Sequence, residues 1–383
     1  MHTSFLEISA KAYRQNIRYI RSEIGEKPII SAVVKGNAYG HGIKQMVEIA
    51  EKSGIRHFST FSSDEAWEVC GHSSHHSEVM IMGMLHFEEL EQIIQKGISF
   101  YVFDFTRLEK AIETAKRIQI PAKIHIEVET GFHRTGFDWK NVGKLSELLL
   151  QNLEYICIEG LCTHYAGAES VSNFVRVKKQ ISKYLEFKDY FNRENLHFNT
   201  YHTACSAATL IFPETIMDMV RIGIAGYGFW PTTETYFAKQ HALPNGGRNP
   251  LRRLISWKSS IMSLKTVEKG EFIGYGNSYM ALTGMELAII PVGYGQGYSR
   301  LLSNLGQVLI GGQFAKVVGT VTMNAISVDI SRIKGIELGD EVVIIGKQGN
   351  KEITVASFSE STQQVNYELL TRLPKDIPRK IIP

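Results

Sequence analysis

The organisation of this chain is set by one stretch near its start, Pro28-Ile-Ile-Ser-Ala-Val-Val-Lys35-Gly-Asn-Ala-Tyr39-Gly-His-Gly42. The apolar run before Lys35 is short and rich in β-branched residues, which predicts a buried strand rather than a helix. A lysine at the end of such a strand has two explanations. In the first, which is the commoner outcome, the side chain extends along the apolar surface and its ammonium reaches solvent. In the second, the pKa of the amine is lowered and the amine forms a Schiff base. Lys35 alone does not decide between them.

Outward from this stretch, similar apolar runs recur and mostly alternate with segments of helical periodicity, such as Ile43, Met46, Val47 and Ala50. The predicted strands are 29–35, 57–61, 78–82, 100–104, 122–129, 156–162, 197–202 and 219–222. Eight strands that alternate with helices predict an α/β fold, a closed (β/α)8 barrel of the TIM type, over residues 9–235.

The pattern changes after residues 231–250, which are rich in proline and glycine and predict a connection. Short β-rich runs with glycines between them follow to the end of the chain. Residues 250–383 are therefore predicted to form a second, mostly β domain, joined by a first strand at about residues 4–8.

Composition excludes several classes of function. The 42 basic and 39 acidic residues leave a formal charge of only +3 and are not clustered, so we expect no nucleic-acid partner. The four cysteines form no Cys-x-x-Cys pair, which argues against a metal site or a disulfide framework. No apolar run has membrane-spanning length and the first residues do not form a signal peptide, so a cytoplasmic protein without membrane contact is expected.

Polar side chains stand at the predicted carboxyl ends of five strands, where a barrel builds its chemistry. They are Lys35, Arg134, His164, Ser206 and Arg221. Taken singly, each residue is better explained by a structural role than by a functional one: a histidine in the core, an arginine in an ion pair, or a serine that caps a helix. Because all five are predicted at one mouth, we interpret them together as a site.

The last two strand ends indicate which ligand this site takes. Loops after the seventh and eighth strands of barrels commonly bind phosphate, and Ser206 and the turn at Gly223 suit that use. A lysine that forms an imine, combined with a phosphate site, suggests pyridoxal 5′-phosphate, which carries an aldehyde and a phosphate.

At this point the chain resembles the alanine racemase family of barrel-type pyridoxal phosphate enzymes, from Phe5 almost to its C-terminus. Val34-Lys35-Gly-Asn-Ala-Tyr39-Gly-His-Gly is similar to the family's cofactor-lysine motif, and Val220-Arg221-Ile-Gly223-Ile224 to its arginine segment. The resemblance implies that Lys35 is linked to the cofactor, that Tyr39 and the backbone amides of Gly223 and Ile224 contact its phosphate, and that Arg221 faces its pyridine nitrogen.

The resemblance continues into the second domain. Four of its residues match family positions: Tyr275 in Gly274-Tyr-Gly-Asn, Tyr294 in Gly293-Tyr-Gly-Gln, Met323 in Thr322-Met-Asn and Tyr367 in Asn366-Tyr-Glu. It implies that Tyr275 is a catalytic base, that Tyr294 and Met323 lie near the substrate, and that Tyr367 contacts the phosphate. Without the family, Tyr275 between two glycines would be read as a turn aromatic.

The chain also departs from the family pattern. Glu127 stands where the family usually has a lysine, often carbamylated, so a negative charge that would orient Arg134 is kept on a shorter side chain. Gly295 and Gln296 replace the usual Ala-Asp, Asn324 replaces an aspartate, and Cys205 stands where asparagine is common. These departures concern the substrate pocket more than the cofactor site.

The function implied by the resemblance is racemisation of a small amino acid, by default alanine, which supplies D-alanine for the cell wall. Lys35 and Tyr275 of a partner subunit would act as the two bases of a homodimer, with His164 as the cationic or hydrogen-bonding neighbour that the tyrosine needs. Serine or a broad range of amino acids stays open as substrate. A barrel decarboxylase and a cofactor-holding protein without activity are the competing hypotheses; Arg221 argues against the first and Tyr275 against the second.

Overall fold

The computed structural model of the protein describes residues 2–74, 76–240, 247–355 and 366–383, without the side chains of Asn366 and Tyr367. These residues form two compact units. The barrel unit consists of Lys11–Lys35 and Met46–Arg253, and the β unit of Met1–Ala10, Gly36–Gln45 and Leu254–Pro383. Lys35 is therefore the last barrel residue before the chain first returns to the β unit.

The barrel unit is built on one parallel sheet. After β1 (Ser4–Ser9), which belongs to the β unit, the strands are β2 (Ile29–Val33), β3 (His57–Ser62), β4 (Glu78–Met84), β5 (Ser99–Val102), β6 (Ala122–Glu127), β7 (Ile156–Cys162), β8 (Thr200–His202) and β9 (Met219–Ile222). Their order is β8-β7-β6-β5-β4-β3-β2-β9. The ring closes between β9 and the end of β8, where the Arg221 N–H donates to the Ala204 carbonyl at 2.9 Å. The predicted (β/α)8 barrel is confirmed.

Helices connect successive strands, and their ends follow local rules. The Asp104 side chain accepts from the Arg107 N–H at the start of one helix, and left-handed Gly97 ends another. The helices of this part of the chain are Ala10–Ile24, Ile43–Lys52, Ser63–His72, Leu90–Lys96, Phe105–Ile118, Val142–Leu150, Phe174–Arg193, Ser206–Ile211 and Thr233–Gln240, with 3-10 turns at Phe87–Glu89, Trp139–Asn141, Val171–Asn173 and Pro213–Thr215. Because crossovers between parallel strands return the chain to the same edge, all eight carboxyl ends meet at one mouth.

Four predicted strands, 29–35, 100–104, 122–129 and 197–202, are longer than the observed ones, and two of them bear on the site. The Val34 N–H still bonds the Ser59 carbonyl at 2.9 Å, but Lys35 leaves the sheet and opens the helical turn Lys35–Tyr39. At the other strand, residues 197–199 precede β8 and are not part of it. Lys35 is thus placed on the turn that follows the strand.

The barrel interior contains a polar layer among its aliphatic and aromatic residues. Buried polar residues on the strands include Ser31, His57, Ser99, His125 and His202. Barrel interiors are usually filled by branched aliphatic side chains. Burying so many polar groups is favourable only where each finds a hydrogen-bond partner.

The β unit contains one mixed sheet. Its further strands are β10 (Ile255–Ser260), β11 (Ser263–Val267), β12 (Met285–Ile290), β13 (Gln307–Ile310), β14 (Gln313–Val318), β15 (Ile326–Asp329), β16 (Glu341–Gln348), β17 (Lys351–Ile353) and β18 (Arg379–Ile382), with the helix Asn366–Thr371 and 3-10 turns at Tyr275–Asn277, Tyr294–Gln296 and Arg300–Leu302. The order is β11-β12-β15-β14-β13-β16-β10-β1-β18, with β17 paired to β16. β1 pairs antiparallel with β10 and parallel with β18. The predicted mostly β C-terminal fold is confirmed.

Two negative findings hold for the described residues. In residues 2–74, 76–240, 247–355 and 366–383, no helix is long and apolar enough to cross a membrane. Within those same ranges, no group of three or more His, Cys, Asp or Glu side chains is placed to hold a metal ion.

Candidate active site

Lys35 is partly buried where the chain leaves β2. Burial is the main cause that lowers the pKa of its amine, and the positive charges of Arg134 and Arg221 lower it further, against the opposing charges of Glu65 and Cys205. A lowered pKa raises the fraction of neutral amine, which is the form that acts as nucleophile or base. This environment supports the second explanation of Lys35, a reactive amine.

The turn after Lys35 is left-handed. Residues 36–39 have φ between 52° and 64°, and the Gly40 N–H closes the turn on the Gly36 carbonyl at 3.0 Å. This conformation costs non-glycine residues roughly 1–2 kcal/mol each. Gly40 itself has φ 80°, and a Cβ there would overlap the Leu370 carbonyl of the same β unit. The glycines of the motif therefore have a backbone role, and the turn ends at Tyr39, whose side chain is partly buried.

Arg221 on β9 is buried and held by four hydrogen bonds. Nη1 donates to Nδ1 of His202 at 2.6 Å and to the His202 carbonyl at 2.8 Å, and Nη2 donates to the carbonyls of Thr163 at 2.7 Å and Thr203 at 3.1 Å. A guanidinium has five N–H donors in a fixed plane. Among the described residues its Nε–H has no partner, so this is the donor that remains for a ligand.

His164 follows β7 and is partly buried beside these cations. Burial lowers the pKa of its imidazole, and Arg221, Arg134 and Lys35 add to that effect, bringing the pKa to about 3. The imidazole is therefore neutral near pH 7. Of the two roles predicted for His164, a cationic or a hydrogen-bonding neighbour of the tyrosine, this pKa favours the second.

Ser206 begins the helix Ser206–Ile211 and faces the turn after β9. Its buried hydroxyl accepts from the N–H of Gly223 at 3.0 Å and of Ala225 at 3.4 Å. The N–H of Ile224, between these two, has no partner among the described residues. A hydroxyl and successive backbone N–H groups in a tight turn form a concavity that suits an anion.

Arg134 lies on an exposed loop after β6, and its guanidinium stacks 4.2 Å from the Phe132 ring. That ring lies 5.5 Å from the His164 ring, centre to centre. The loop is fixed at its start by Glu129, whose carboxylate accepts from the backbone N–H groups of Gly131 and His133. A stacked arginine next to the mouth is a suitable partner for a carboxylate.

Glu127 ends β6 inside the barrel unit. Burial raises the pKa of its carboxyl, while a hydrogen bond from Thr135 and the charges of Arg134 and Arg221 act in the opposite direction. Its Oε2 is buried without a hydrogen-bond partner among the described residues. It lines a small cavity together with Arg134 and His164. Among the described residues it forms no ion pair with Arg134, so the two groups interact through space.

In the β unit, three loops bring Tyr275, Tyr294 and Met323 into one cluster. The Thr320 hydroxyl donates to the Tyr275 carbonyl at 3.0 Å, and the N–H of Tyr294 donates to the Thr322 carbonyl at 3.0 Å. The side chains of Tyr275, Tyr294 and Met323 are all exposed. These loops therefore present three candidate site residues at the surface of the β unit.

Two of the departures from the family pattern contact each other within this cluster. The Gln296 side chain donates to Oδ1 of Asn324 at 3.2 Å and accepts from the Gly293 N–H at 3.0 Å. Gln296 thus joins the loop of Tyr294 to the loop of Met323. The two replacements form a single neutral contact between two amides.

Some functional residues were missed from the sequence. His202, Thr163 and Thr203 hold Arg221, yet a histidine in a strand and threonine carbonyls carry no signal that identifies them before the fold is known. Tyr367 belongs to the helix Asn366–Thr371, but its side chain lies outside the described residues, so its phosphate contact stays a prediction. The assigned roles of the other site residues likewise stay predictions.

Comparison with known proteins gives one consistent answer. The alanine racemase N-terminal domain family matches residues 8–231, and the alanine racemase C-terminal domain family matches residues 254–381. An alanine racemase of Leptospira interrogans is 32% identical over 385 aligned positions, which cover 100% of this chain and 96% of that protein.

Solved structures agree. The alanine racemase of Streptomyces lavendulae has a TM-score of 0.90 at 27% identity and covers 100% of this chain and 98% of that one. The alanine racemase of Bacillus anthracis with bound L-Ala-P has a TM-score of 0.90 at 28% identity, and the match covers 100% of this chain and 96% of that one. Both likenesses extend over the two units.

Proposed function

Since the chain belongs to the alanine racemase family of isomerases, we propose that it interconverts L- and D-alanine with pyridoxal 5′-phosphate and two bases. The observation that carries the proposal is Arg221. Its buried guanidinium donates four hydrogen bonds to the protein and keeps its Nε–H for a ligand. Lys35 and Ser206 belong to the same barrel mouth.

The residues present fit this cofactor. Lys35 offers an amine of lowered pKa for the aldehyde. The Ser206 hydroxyl and the Ile224 N–H offer a concavity for the phosphate, and Arg221 offers a donor for the pyridine nitrogen. When bound, pyridoxal phosphate withdraws electrons from the Cα of the amino acid it holds and so acidifies the Cα–H.

Arg221 selects among the reactions open to such an acidified Cα. A guanidinium does not accept a proton from the pyridine nitrogen, so it leaves that nitrogen unprotonated and the ring a weaker electron sink. A weaker sink limits decarboxylation and transamination and favours return of a proton to Cα. An arginine at this position therefore separates a racemase from the related decarboxylases, which would need an acid there.

Inversion at Cα needs a proton holder on each face. Lys35 Nζ serves one face, since burial and Arg134 lower its pKa. Tyr275 Oη of the partner subunit serves the other in a homodimer, and the neutral His164 of the barrel supplies the hydrogen bond that the phenol needs.

The surface of the β unit supports this assembly. Tyr275 is 73% exposed, and Phe272, Met280 and Leu282 in the same segment are exposed as well. Phe272 and Met280 pair across a β-bridge, and exposed apolar side chains grouped on one segment favour an interaction surface. Covering it by a second copy would bring Tyr275 of the partner subunit to the mouth of a barrel.

Substrate carboxylate recognition falls to Arg134, with Met323 and Tyr294 near the same group. Alanine is the proposed substrate because the relatives are alanine racemases. Serine is the second candidate, since the neutral Gln296–Asn324 contact leaves further hydrogen-bond groups at this edge. A racemisation screen over the amino acids distinguishes the two.

The decisive experiment is Lys35→Ala with pyridoxal phosphate and L-alanine in heavy water. We expect D-alanine formation and Cα deuterium exchange to fall by more than about 10³-fold, because a base and the cofactor-linking amine are both lost. Lys52→Ala, on the surface of the helix Ile43–Lys52, is the matched control and should keep both activities. Retained exchange in Lys35→Ala would contradict the proposal, and release of carbon dioxide by the wild type would favour a decarboxylase.

A further inference from the structure

The polar layer inside the barrel contains a continuous file of hydrogen bonds that begins at Arg221. Nη1 of Arg221 lies 2.6 Å from Nδ1 of His202, and Nε2 of His202 lies 2.9 Å from Nδ1 of His125. Nε2 of His125 lies 3.2 Å from the Ser99 hydroxyl, which donates to the Val79 carbonyl at 3.3 Å. The file therefore crosses the interior from β9 to β4, and all five residues are buried.

The direction of every bond in this file follows from its first member. A guanidinium only donates, so Nδ1 of His202 must accept and carries no proton. A neutral His202 then has its proton on Nε2 and donates it to Nδ1 of His125. By the same step, His125 has its proton on Nε2 and donates it to Ser99. Both imidazoles are therefore neutral and share one tautomer.

Burial supports this assignment. It is the main cause that lowers the pKa of His125 and of His202 well below the usual histidine value, and Arg221 and His57 lower both further. The ring of Tyr101 packs against both imidazoles, with centres about 6 Å away. If either imidazole took up a second proton, its Nδ1–H would point at another N–H donor, that of Arg221 for His202 and that of His202 for His125.

The strand between the two histidines is shaped for their contact. His125 is on β6 and His202 on β8, and β7 lies between these strands. At that point β7 has Gly160, where a Cβ would overlap Nδ1 of His125 and lie 2.9 Å from Nε2 of His202. Gly160 has no positive φ, so its backbone conformation does not require a glycine. The reason is space, because the missing Cβ leaves room for the two imidazoles.

The far end of the file is not a ligand site. A cavity at the amino ends of the strands touches His57, Ser99 and His125 but holds only about 40 Å³, which is room for ordered water and not for a metabolite. The charged side chains along it are Glu78, Lys123 and Glu159. The file therefore acts toward Arg221 at its other end.

We propose that His125 is a positioning residue for the racemisation: it accepts the Nε2–H of His202, holds that imidazole against Nη1 of Arg221, and thereby keeps the Arg221 Nε–H free for the cofactor. Ser99 and Gly160 support the same arrangement. The inference rests on the proposed function only for its catalytic consequence, because the tautomers and the Arg221 geometry exist in the protein without cofactor.

The first test is nitrogen NMR of the cofactor-free protein labelled at histidine and arginine. We expect both His125 and His202 as neutral Nε2–H tautomers, and an Arg221 Nε–H signal that moves in His125→Phe, since the phenyl ring leaves the His202 donor without an acceptor. His125→Gln should restore the signal, because its Oε1 accepts and its amide donates to Ser99. A protonated or Nδ1–H form of His202, or an unmoved Arg221 signal in His125→Phe, would overturn the proposal.

The second test uses the cofactor-loaded enzyme. In His125→Phe we expect kcat for alanine to fall about 10-fold, because His202 loses its acceptor and holds Arg221 less firmly, with KM little changed and a larger share of transamination. If His125→Phe does not fold, Ser99→Ala takes its place in the test and should give a smaller decrease in kcat and a smaller rise in transamination. His57→Gln is the matched control: it is equally buried but bonds Ser31 at 2.8 Å outside the file, and should keep the wild-type ratio.

These readouts separate two failures. If the wild type does not racemise alanine but the NMR pattern is as expected, the proposed function is wrong and the positioning of Arg221 stands. If the wild type racemises alanine and His125→Phe leaves the transamination share and kcat as they were, the positioning role of His125 is wrong and the function stands.

Discussion

The two units hold their candidate site residues in opposite ways. In the barrel unit, Arg221 is buried with four hydrogen bonds, and the interior behind it is a bonded file. In the β unit, Tyr275 is 73% exposed, and within the described residues its hydrogen bond to Thr320 is made by its backbone carbonyl. The comparison teaches that Arg221 is fixed by contacts within its own unit, whereas Tyr275 is presented at the surface of the β unit, where the proposed partner subunit would cover it.

Arg221→Leu should break the barrel half and gives the largest expected effect on stability. It leaves four buried acceptors on His202, Thr163 and Thr203 without their donors, so the free energy of unfolding should fall by about 3–5 kcal/mol. Urea denaturation measures this change. Arg134→Leu is the control, because its exposed guanidinium contributes one stacking contact, worth about 1 kcal/mol or less. Equal losses in the two variants would show that Arg221 is not integrated in the core.

Tyr275→Phe should leave the fold intact and damage only the reaction. Its hydroxyl has no structural partner in the described part of the β unit, so the free energy of unfolding should change by less than about 0.5 kcal/mol. Loss of one base should slow proton transfer on one face by about 10²-fold. Deuterium exchange at Cα, started from L- and from D-alanine, measures the two directions separately.

The control for that variant is Tyr155→Phe, which removes a phenol hydroxyl from the barrel unit outside the candidate site and should change neither direction. Equal and mild effects of Tyr275→Phe in both directions would argue against a second base on the β unit.

The sequence predicted the parts of the fold and site that depend on chain order. Eight apolar runs gave the barrel, and their ends gave Lys35, Ser206 and Arg221, because strand direction alone decides which residues share a mouth. It did not reveal His202 or His125, since their bond crosses β7 and depends on the missing Cβ of Gly160. It also gave no hint of the lowered pKa of His164, because that depends first on the burial of its imidazole and then on three cations from separate strand ends.

Acid should destabilise the barrel unit through its buried histidines. Burial lowers the pKa of His57 to about 4 and of His125 and His202 well below the usual value. The unfolded chain therefore binds protons below about pH 6.5 that the folded barrel does not. Stability should then fall as the pH decreases, by up to about 1.4 kcal/mol per pH unit for each such histidine.

Urea unfolding between pH 7.5 and 5 measures that slope. His57→Gln should reduce it by the share of one histidine, without touching the file from Arg221 to Ser99. A free energy of unfolding that stays constant over this range would mean that the barrel histidines are protonated when folded.

The smallest expected effect lies at the surface of the β unit, in Gln296→Glu. Glutamate keeps an acceptor for the Gly293 N–H within the Tyr294 loop but cannot donate to Asn324, so the side-chain bond from this loop to the Met323 loop is lost. The backbone bonds from the N–H groups of Tyr294 and Gly295 to that loop remain. Because this contact is exposed, the cost to stability should be about 0.5 kcal/mol, while the looser loops change the ratio of kcat/KM for alanine and serine by about 2–5-fold. Asn324→Asp is the matched variant: it retains the acceptor and therefore the bond, and adds only a charge. If both variants shift the ratio equally, the added negative charge is responsible; if Gln296→Glu alone shifts it, the hydrogen bond between the two loops sets the substrate edge.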